Sequence, residues 1–355
     1  MMMNDADLRD STESLHLPAE WHSCGCVMIA WPHKDTDWNY MLDEIEQCYI
    51  HLVEVLVKYS RVLIVCPDIE IPQRRLSHLP AERIFYFRYF TNDTWIRDYG
   101  PLTLVDEAGI PRAFTDYRFN GWGLKFPACF DNLTIQDMRQ KSLLALNVYD
   151  RRDFVLEGGG IESDGNGNLM TTAACQLSPN RNPTMSKADI IERLKSDFGA
   201  ENVVWLNNGA LAGDDTDSHI DTLARFAPGN TILYTCCNDP SDEHFCTLQA
   251  MKEELKLAKD KDGNNFNLVE LPLPSPVYDS EGQRLPATYS NYLVLPDVVL
   301  MPTYSQPVND ILAKRILEAV YERTVECVEC SVLINQHGSL HCATMQIPEG
   351  ALSFC

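Results

Sequence analysis

The stretch MLDEIEQCYIHLVEVLVKYSRVLIVCPD, residues 41–68, contains two kinds of hydrophobic pattern in direct succession. Residues 41–59 place apolar side chains at positions 41, 45, 49, 52, 53 and 56, the spacing of an amphipathic helix. VLIVC (62–66) is then a continuous apolar run that ends at Pro67 and Asp68, which predicts a buried strand followed by a turn. A helix that leads directly into a buried strand is typical of mixed α/β proteins.

The same mixture recurs along the chain. Further strands are predicted at 83–90, 203–206, 231–236, 291–296 and 298–302, and a second amphipathic helix at 311–324. Strands outnumber helices, so the fold class is α/β or α+β. Because no Gly/Ser-rich or Pro-rich linker divides the chain, we expect one domain over residues 1–355, with residues 1–16 as a flexible N-terminal segment.

Composition excludes several classes of protein. Hydrophobic residues make up 45% and charged residues 23%, which is globular, and no apolar run is long enough to span a membrane. The polar, acidic N-terminus lacks the features of a secretory signal, so a cytoplasmic location is expected. The net charge of −22 repels phosphate backbones, which argues against nucleic acid as a partner and is compatible with a cationic substrate. Most of these charges are equally explained as a solubilising surface.

The thirteen cysteines indicate reduced thiols rather than a disulfide framework, because the count is odd and no export signal is recognised. Only Cys327-x-x-Cys330 has a spacing that is usual for zinc. No second half-site accompanies it in the sequence, so no metal site is predicted.

Four polar loops follow predicted strands, the usual position of a functional site. They are NDTWIRDYGP (92–101), LEGGGIESDGNGN (156–168), GDDTDSHIDT (213–222) and HGSLHCAT (337–344). Each has a structural alternative. DGNGN (164–168) is typical of a hairpin turn. The aspartates at 214, 215 and 217 are equally consistent with solvated charges or helix caps. His341 is also consistent with a structural histidine that is retained for its hydrogen bonds.

Glu157 and His219 favour a functional interpretation. Glu157 precedes three glycines, which let the backbone approach a ligand closely, and a poorly solvated carboxylate there requires a cation or donors. His219 and Asp221 share one face of an extended segment, the spacing of a general acid/base with an orienting carboxylate.

Cys342, a histidine and a surplus of carboxylates together indicate a cationic electrophile. A guanidinium matches best, because its planar fork suits carboxylates and its delocalised charge makes its carbon a poor electrophile that requires a strong thiolate nucleophile. Two alternatives stay open: a papain-like cysteine hydrolase of ordinary amides, and a protein that binds cations without turnover.

The motifs, in their order along the chain, resemble the agmatine deiminase branch of the Porphyromonas-type peptidyl-arginine deiminase family of guanidine-modifying enzymes. Seven stretches carry the resemblance, at residues 17–38, 92–101, 119–127, 156–183, 205–226, 289–304 and 341–348. The resemblance implies a five-bladed pseudosymmetric α/β propeller, the pentein fold, built of repeated ββαβ-like units. It also implies that no metal or organic cofactor is required.

The resemblance further implies specific roles. Cys342 is then the nucleophile and His219 the general acid/base. Glu157 and Asp221 hold the guanidinium and the histidine, and Asp98 binds a guanidinium nitrogen. Gly338, together with Ser339, leaves room for the loop that presents the thiol.

The far end of the substrate decides its identity. Agmatine carries an ammonium group there, which suits an acidic or aromatic wall, for which Trp95, Asp214 and Asp217 are candidates. Each of the three is also consistent with a purely structural role. The expected reaction is the hydrolysis of agmatine to N-carbamoylputrescine and ammonia, a step of polyamine synthesis. The alternative is conversion of peptidyl arginine to citrulline, and a homo-oligomer is compatible with either.

Overall fold

The computed structural model of the protein describes residues 14–354. Within this range the helices are α1 (Leu42–Tyr59), α2 (Glu70–Arg75), α3 (Ile96–Tyr99), α4 (Gly121–Leu124), α5 (Thr134–Gln140), α6 (Ala173–Gln176), α7 (Lys187–Phe198), α8 (Phe245–Leu257) and α9 (Pro307–Tyr321). The strands are β1 (Cys26–Ala30), β2 (Arg61–Cys66), β3 (Ile84–Arg88), β4 (Leu102–Val105), β5 (Pro111–Arg118), β6 (Asn147–Val155), β7 (Ile161–Ser163), β8 (Asn168–Thr172), β9 (Asn202–Leu206), β10 (Ala224–Ala227), β11 (Thr231–Cys236), β12 (Asn267–Pro272), β13 (Leu293–Val294), β14 (Val298–Thr303), β15 (Thr324–Glu329) and β16 (Met345–Ile347).

Four small sheets share one construction. In each, an antiparallel strand pair is followed by a helix, and the next strand returns parallel to the second strand of the pair. The strand orders are β4-β5-β6, β7-β8-β9, β10-β11-β12 and β13-β14-β15, and the longest crossing helices are α5, α7, α8 and α9. Parallel strands need such a crossover, whereas the antiparallel pairs need only a short turn.

The fifth sheet joins the two ends of the described chain. β16 pairs antiparallel with β1, with Cys26 opposite Ile347, and α1 then crosses to the parallel strand β2. The chain therefore closes five ββαβ-like units into a five-bladed α/β propeller. This confirms the predicted fold class and its repeated unit.

Burial explains why the sequence around residues 41–68 folds as predicted. The apolar stripe of α1 is buried, including Ile45, Tyr49, Leu52, Val53 and Leu56. β2 is buried along almost its whole length, as expected of a central parallel strand covered on both faces. The predicted helix and strand are both confirmed, and the helix begins at Leu42.

Several predicted boundaries differ from the structure, and the strand predicted at 83–90 spans only Ile84–Arg88. The helix predicted at 311–324 begins earlier, at Pro307, since proline is favoured in the first turn, and ends at Tyr321 before the left-handed Glu322. Of the strand predicted at 291–296, only Leu293–Val294 pairs. Residues 1–13 of the expected flexible segment lie outside the described residues, whereas His16 is bridged to Val105.

Among residues 14–354, no helix combines the length and hydrophobicity that a membrane span requires.

Candidate active site

A cavity lies where loops from different units meet. The residues that line it are Asp37, Asp93, Trp95, Asp98, Trp122, Phe126, Asp215, Thr216, Gln336, His337, Gly338 and Cys342.

Cys342 is held at the cavity by its backbone and by one amide side chain. It lies in the turn before β16, and its carbonyl accepts a hydrogen bond from the Arg97 backbone N–H at 3.2 Å. The Oδ1 of Asn291 accepts from the backbone N–H groups of His341 and Cys342, and its Nδ2 lies 3.3 Å from the Cys342 Sγ. Asn291 thus fixes the position of the thiol. The sequence analysis assigned no role to this residue.

His219 is presented by a sharp left-handed turn. Asp217 and Ser218 have φ angles of 65° and 64°, which are unfavourable for residues other than glycine and common at functional sites. The His219 Nε2 lies 3.0 Å from Glu157 Oε2, and its Nδ1 lies 3.6 Å from Asp98 Oδ1. Burial alone lowers the pKa of His219, but Asp98, Cys175 and Glu157 outweigh burial and hold this pKa well above its usual value.

Glu157 and His219 are buried against each other, and neither side chain lines the cavity. Arg181 donates through Nε to both Glu157 oxygens, at 3.0 and 2.8 Å. Burial raises the pKa of Glu157, yet the His219 hydrogen bond and the Arg181 charge outweigh it and lower this pKa. Glu157 is therefore an ionised carboxylate that orients the imidazole and favours its protonated form.

Asp98 reaches the cavity from α3. Its Oδ1 accepts from the Gly159 N–H at 2.9 Å, and its Oδ2 accepts from the Trp122 indole at 2.8 Å. Trp122 itself has a left-handed φ of 54°, a strained conformation that directs the indole to this carboxylate. Burial raises the pKa of Asp98, and His219 opposes that shift.

Two buried polar atoms beside the thiol make no hydrogen bond within residues 14–354. They are Nδ1 of His219 and Oδ1 of Asp221. A Cβ added at Gly159 would meet His219 Nδ1 at 2.8 Å, Asp98 Oδ1 at 2.9 Å and Asp221 Oδ2 at 3.0 Å, so glycine keeps the space between these groups open. The unpaired Asp221 oxygen and the neighbouring Asp98 carboxylate are acceptors, so this arrangement is that of a site for a ligand that donates hydrogen bonds.

The protein groups around Cys342 do not by themselves activate its thiol. Burial raises the pKa of Cys342 well above its usual value, and the Asp221 and Asp98 carboxylates raise it further. Asp221 Oδ2 lies 3.8 Å from the Sγ. A cation bound between these carboxylates would offset the repulsion, so thiolate formation is coupled to ligand binding.

Comparisons with known proteins assign the chain to a family. The profile of the Porphyromonas-type peptidyl-arginine deiminase family matches residues 16–348. The chain belongs to this family.

Members with nearly the same length are similar throughout. An agmatine deiminase of Stutzerimonas stutzeri is 28% identical over 95% of this chain and 96% of its own. The structure of a Cys-to-Ser variant of C. jejuni agmatine deiminase with substrate bound is 37% identical, with a TM-score of 0.87 over 96% of this chain and 98% of its own. A dimethylarginine dimethylaminohydrolase structure is 13% identical, with a TM-score of 0.50 over 91% of this chain and 100% of its own, and shares the fold alone.

Within this family member, the structure brings five predicted residues into one cluster. Cys342, His219, Glu157, Asp98 and Asp221 are all at most 6% exposed. The predicted pairing changes in one respect, because the imidazole that Asp221 contacts is that of His341 rather than that of His219.

The structure places the four predicted binding residues differently with respect to the cavity. Trp95 and Gly338 both line it, and a Cβ at Gly338 would meet the Trp95 ring at 2.4 Å, so only glycine fits against the indole. Asp214 and Asp217 do not line it, which corrects their predicted role, whereas Asp215 between them does.

Asp214 and Asp217 hold the loop in shape instead. The Oδ2 of Asp214 accepts from the Ser218 N–H at 2.6 Å. Asp217 accepts from Lys125 at 2.7 Å and from Arg181 at 2.6 Å. Asp37 and Asp93, which the sequence analysis did not single out, contribute two further carboxylates to the cavity.

One group of side chains has the donor types of a metal site. Glu157, Cys175 and His219 place one possible ligand atom each within 4.8 Å of one another. Arg181 already occupies both oxygens of Glu157, however, and a guanidinium there repels a metal cation. These residues therefore do not fit a metal ion.

Proposed function

We propose that this protein is an agmatine deiminase, which hydrolyses agmatine to N-carbamoylputrescine and ammonia. The observation that carries the proposal is the fully buried Oδ1 of Asp221, which has no hydrogen-bond partner within residues 14–354 and belongs to a carboxylate 3.8 Å from the Cys342 Sγ. A planar guanidinium supplies the donors that carboxylates in this position require. The names of relatives that match nearly the whole chain support the same chemistry.

In the first half-reaction Cys342 is the nucleophile. Its thiolate attacks the guanidinium carbon while Asp98 and Asp221 hold the substrate nitrogens. His219, protonated because Asp98 and Glu157 stabilise its cation, donates a proton to the departing nitrogen. The C–N bond breaks, ammonia leaves, and an S-alkylthiouronium remains on Cys342.

In the second half-reaction His219 acts as a base. Having given up its proton, it accepts one from water, and the hydroxide attacks the same carbon. The C–S bond breaks, the thiolate of Cys342 leaves, and the hydroxyl proton passes to solvent as the ureido product is released. Both halves use one histidine in alternating roles.

The acidic cavity supports agmatine as the substrate rather than free or peptidyl arginine. Asp37, Asp93 and Asp215 line it together with the Trp95 and Trp122 rings. Within residues 14–354 no lysine or arginine lines it. An ammonium group gains from carboxylates and aromatic faces, whereas the carboxylate of free arginine would be repelled.

We expect the purified protein to release ammonia and a ureido product from agmatine at least about 100-fold faster, as kcat/KM, than from free arginine or an arginine-containing peptide. The acidic wall discriminates against a carboxylate by a few kcal/mol, which corresponds to this ratio. Ammonia release and product mass measure the outcome. A preference for the peptide would indicate that the protein is a peptidyl-arginine deiminase. Lack of turnover of all three guanidines would overturn the proposal.

We expect agmatine binding to weaken roughly tenfold as the pH falls from 8 to 5.5, about 1.4 kcal/mol. Burial raises the pKa of Asp93 to about 7 and that of Asp215 to about 6, so both lose their negative charge over this interval. Calorimetric titration of the Cys342→Ser variant with agmatine measures the Kd without turnover.

Two further variants sharpen this test. Adding Asp215→Asn should weaken binding at pH 8 and flatten its pH dependence. Asp239→Asn, in an exposed loop outside the cavity, should leave the profile unchanged. A Kd that is independent of pH in the Asp215-containing protein would contradict the role of these carboxylates.

Several wider expectations stay predictions. We propose that the whole chain acts as one catalytic domain, since side chains from different propeller units line one cavity. The cytoplasmic location, the absence of nucleic-acid partners and the possible homo-oligomer also stay predictions, as does activity without a cofactor.

A further inference from the structure

His341 lies between two buried carboxylates on the side of Asp221 away from the mechanism described above. Its Nδ1 is 2.8 Å from Asp221 Oδ2, and its Nε2 is 2.8 Å from Glu20 Oε2. His341 is 2% exposed, Glu20 7% and Asp221 0%. The side chains of His341 and Cys342 thus diverge from adjacent positions, one into this buried row and the other into the cavity.

The hydrogen-bond geometry favours hydrogen on both ring nitrogens of His341. An ionised carboxylate only accepts hydrogen bonds, and each ring nitrogen lies 2.8 Å from a carboxylate oxygen. The Arg225 guanidinium also lies 3.2 Å from Nε2, but it already donates to the same Glu20 oxygen, and the contact of Nε2 with that oxygen is the shorter one. A neutral imidazole would place a lone pair against one buried carboxylate oxygen. Burial raises the pKa of Glu20, but the charge of Arg225 opposes burial and this pKa is lowered, so a protonated Glu20 is disfavoured.

Glu20 is fixed on its other side. Its Oε2 also accepts from the Arg225 guanidinium, and its Oε1 accepts from the Val294 backbone N–H at 2.7 Å. Arg225 in turn donates through Nε to Glu162 at 2.9 Å. The row formed by Glu20, His341 and Asp221 is therefore anchored in the protein core. His341 fixes the position of Asp221 on the side that faces away from the cavity.

We propose that His341 is a positioning residue, held as an imidazolium between Glu20 and Asp221. It fixes Asp221 through Oδ2, leaves Oδ1 free for the substrate, and offsets the carboxylate charge that lies 3.8 Å from the Cys342 Sγ. The inference rests on the proposed function for its catalytic consequence, whereas the protonation state of His341 is independent of it.

The first test observes the histidine directly, without substrate. In ¹⁵N-histidine-labelled protein, His341 should show hydrogen on both ring nitrogens at pH 7.5, and these signals should be absent from His341→Asn. A single protonated nitrogen overturns the proposal. If the variant does not fold, sequential assignment in the wild-type protein identifies the same signals.

The second test separates positioning from stability. In His341→Asn the carboxylate of Asp221 loses its counter-charge, so alkylation of Cys342 by iodoacetamide at pH 8 should slow roughly tenfold, corresponding to about one pKa unit at the thiol. The kcat for agmatine should fall more than KM changes. Glu20→Gln should reproduce part of the effect.

A matched control is available in the same chain. His244 is also buried and contacts Asp242 at 2.9 Å, but it lies outside the cavity lining. His244→Asn should leave the alkylation rate and kcat unchanged. If His341→Asn lowers only the Tm and leaves the pH profile of alkylation in place, the residue is merely structural and the proposal is wrong. Failure of all guanidine turnover in the wild type, with both nitrogens of His341 protonated, would reject the proposed function alone.

Discussion

Replacing Cys342 by serine is expected to reduce ammonia release from agmatine by at least about 10⁴-fold, because a neutral hydroxyl is a far weaker nucleophile than a thiolate. The groups that hold the cation, Asp98 and Asp221, are unchanged in the variant. Agmatine binding measured by calorimetry should therefore persist with a Kd close to the wild-type KM.

The covalent intermediate gives a second readout of the same prediction. Acid-quenched wild-type protein should carry an added amidine adduct on the Cys342 peptide, and the serine variant should carry none. Cys66→Ser, which changes a buried thiol in β2 away from the cavity, serves as the control and should keep both turnover and adduct. Residual turnover above about 1% in Cys342→Ser would remove this residue as the nucleophile.

Regular elements were predictable where hydrophobic periodicity and burial agree. The helix at 41–59 has one apolar stripe, which is buried on one side, and the strand that follows it is a continuous apolar run, which is buried on both faces. Asp164, Gly165 and Gly167 in the turn between β7 and β8 likewise determine a hairpin locally. The pairing of β16 with β1, which closes the propeller, could not be predicted from hydrophobic periodicity, because it joins residues more than 300 positions apart.

The types of residue that form the site were predictable from the sequence, but the directions in which their side chains point were not. The sequence does not distinguish Asp214, Asp215 and Asp217. In the structure Asp214 and Asp217 are engaged by Ser218, Lys125 and Arg181, next to the left-handed backbone of Asp217 and Ser218, and Asp215 lines the cavity. Neither Asp217 nor Ser218 is a glycine that would have revealed the turn. The pairing of Asp221 with His341 escaped for a similar reason, because two histidines compete for one carboxylate and their choice depends on packing between distant loops.

Replacing His219 by glutamine is expected to lower kcat for agmatine by about 10²–10⁴-fold, because the variant has no group that can donate a proton to the leaving nitrogen and recover it from water. Glutamine preserves much of the size and one hydrogen bond to Glu157, so folding and binding should be retained. Steady-state kinetics at pH 8 measure the loss, and His244→Gln provides a buried histidine outside the cavity as the control.

Alkylation of Cys342 by iodoacetamide distinguishes proton donation from an effect on the thiol, since iodide leaves without a proton. If His219 acts mainly as the acid and base, its replacement should slow alkylation far less than it slows turnover. Equal losses in both reactions would instead mean that the His219 cation serves to stabilise the thiolate. The raised pKa of His219, with Asp98 at 3.6 Å and Glu157 at 3.0 Å, supports the acid role, because it keeps the donor protonated until the leaving nitrogen requires it.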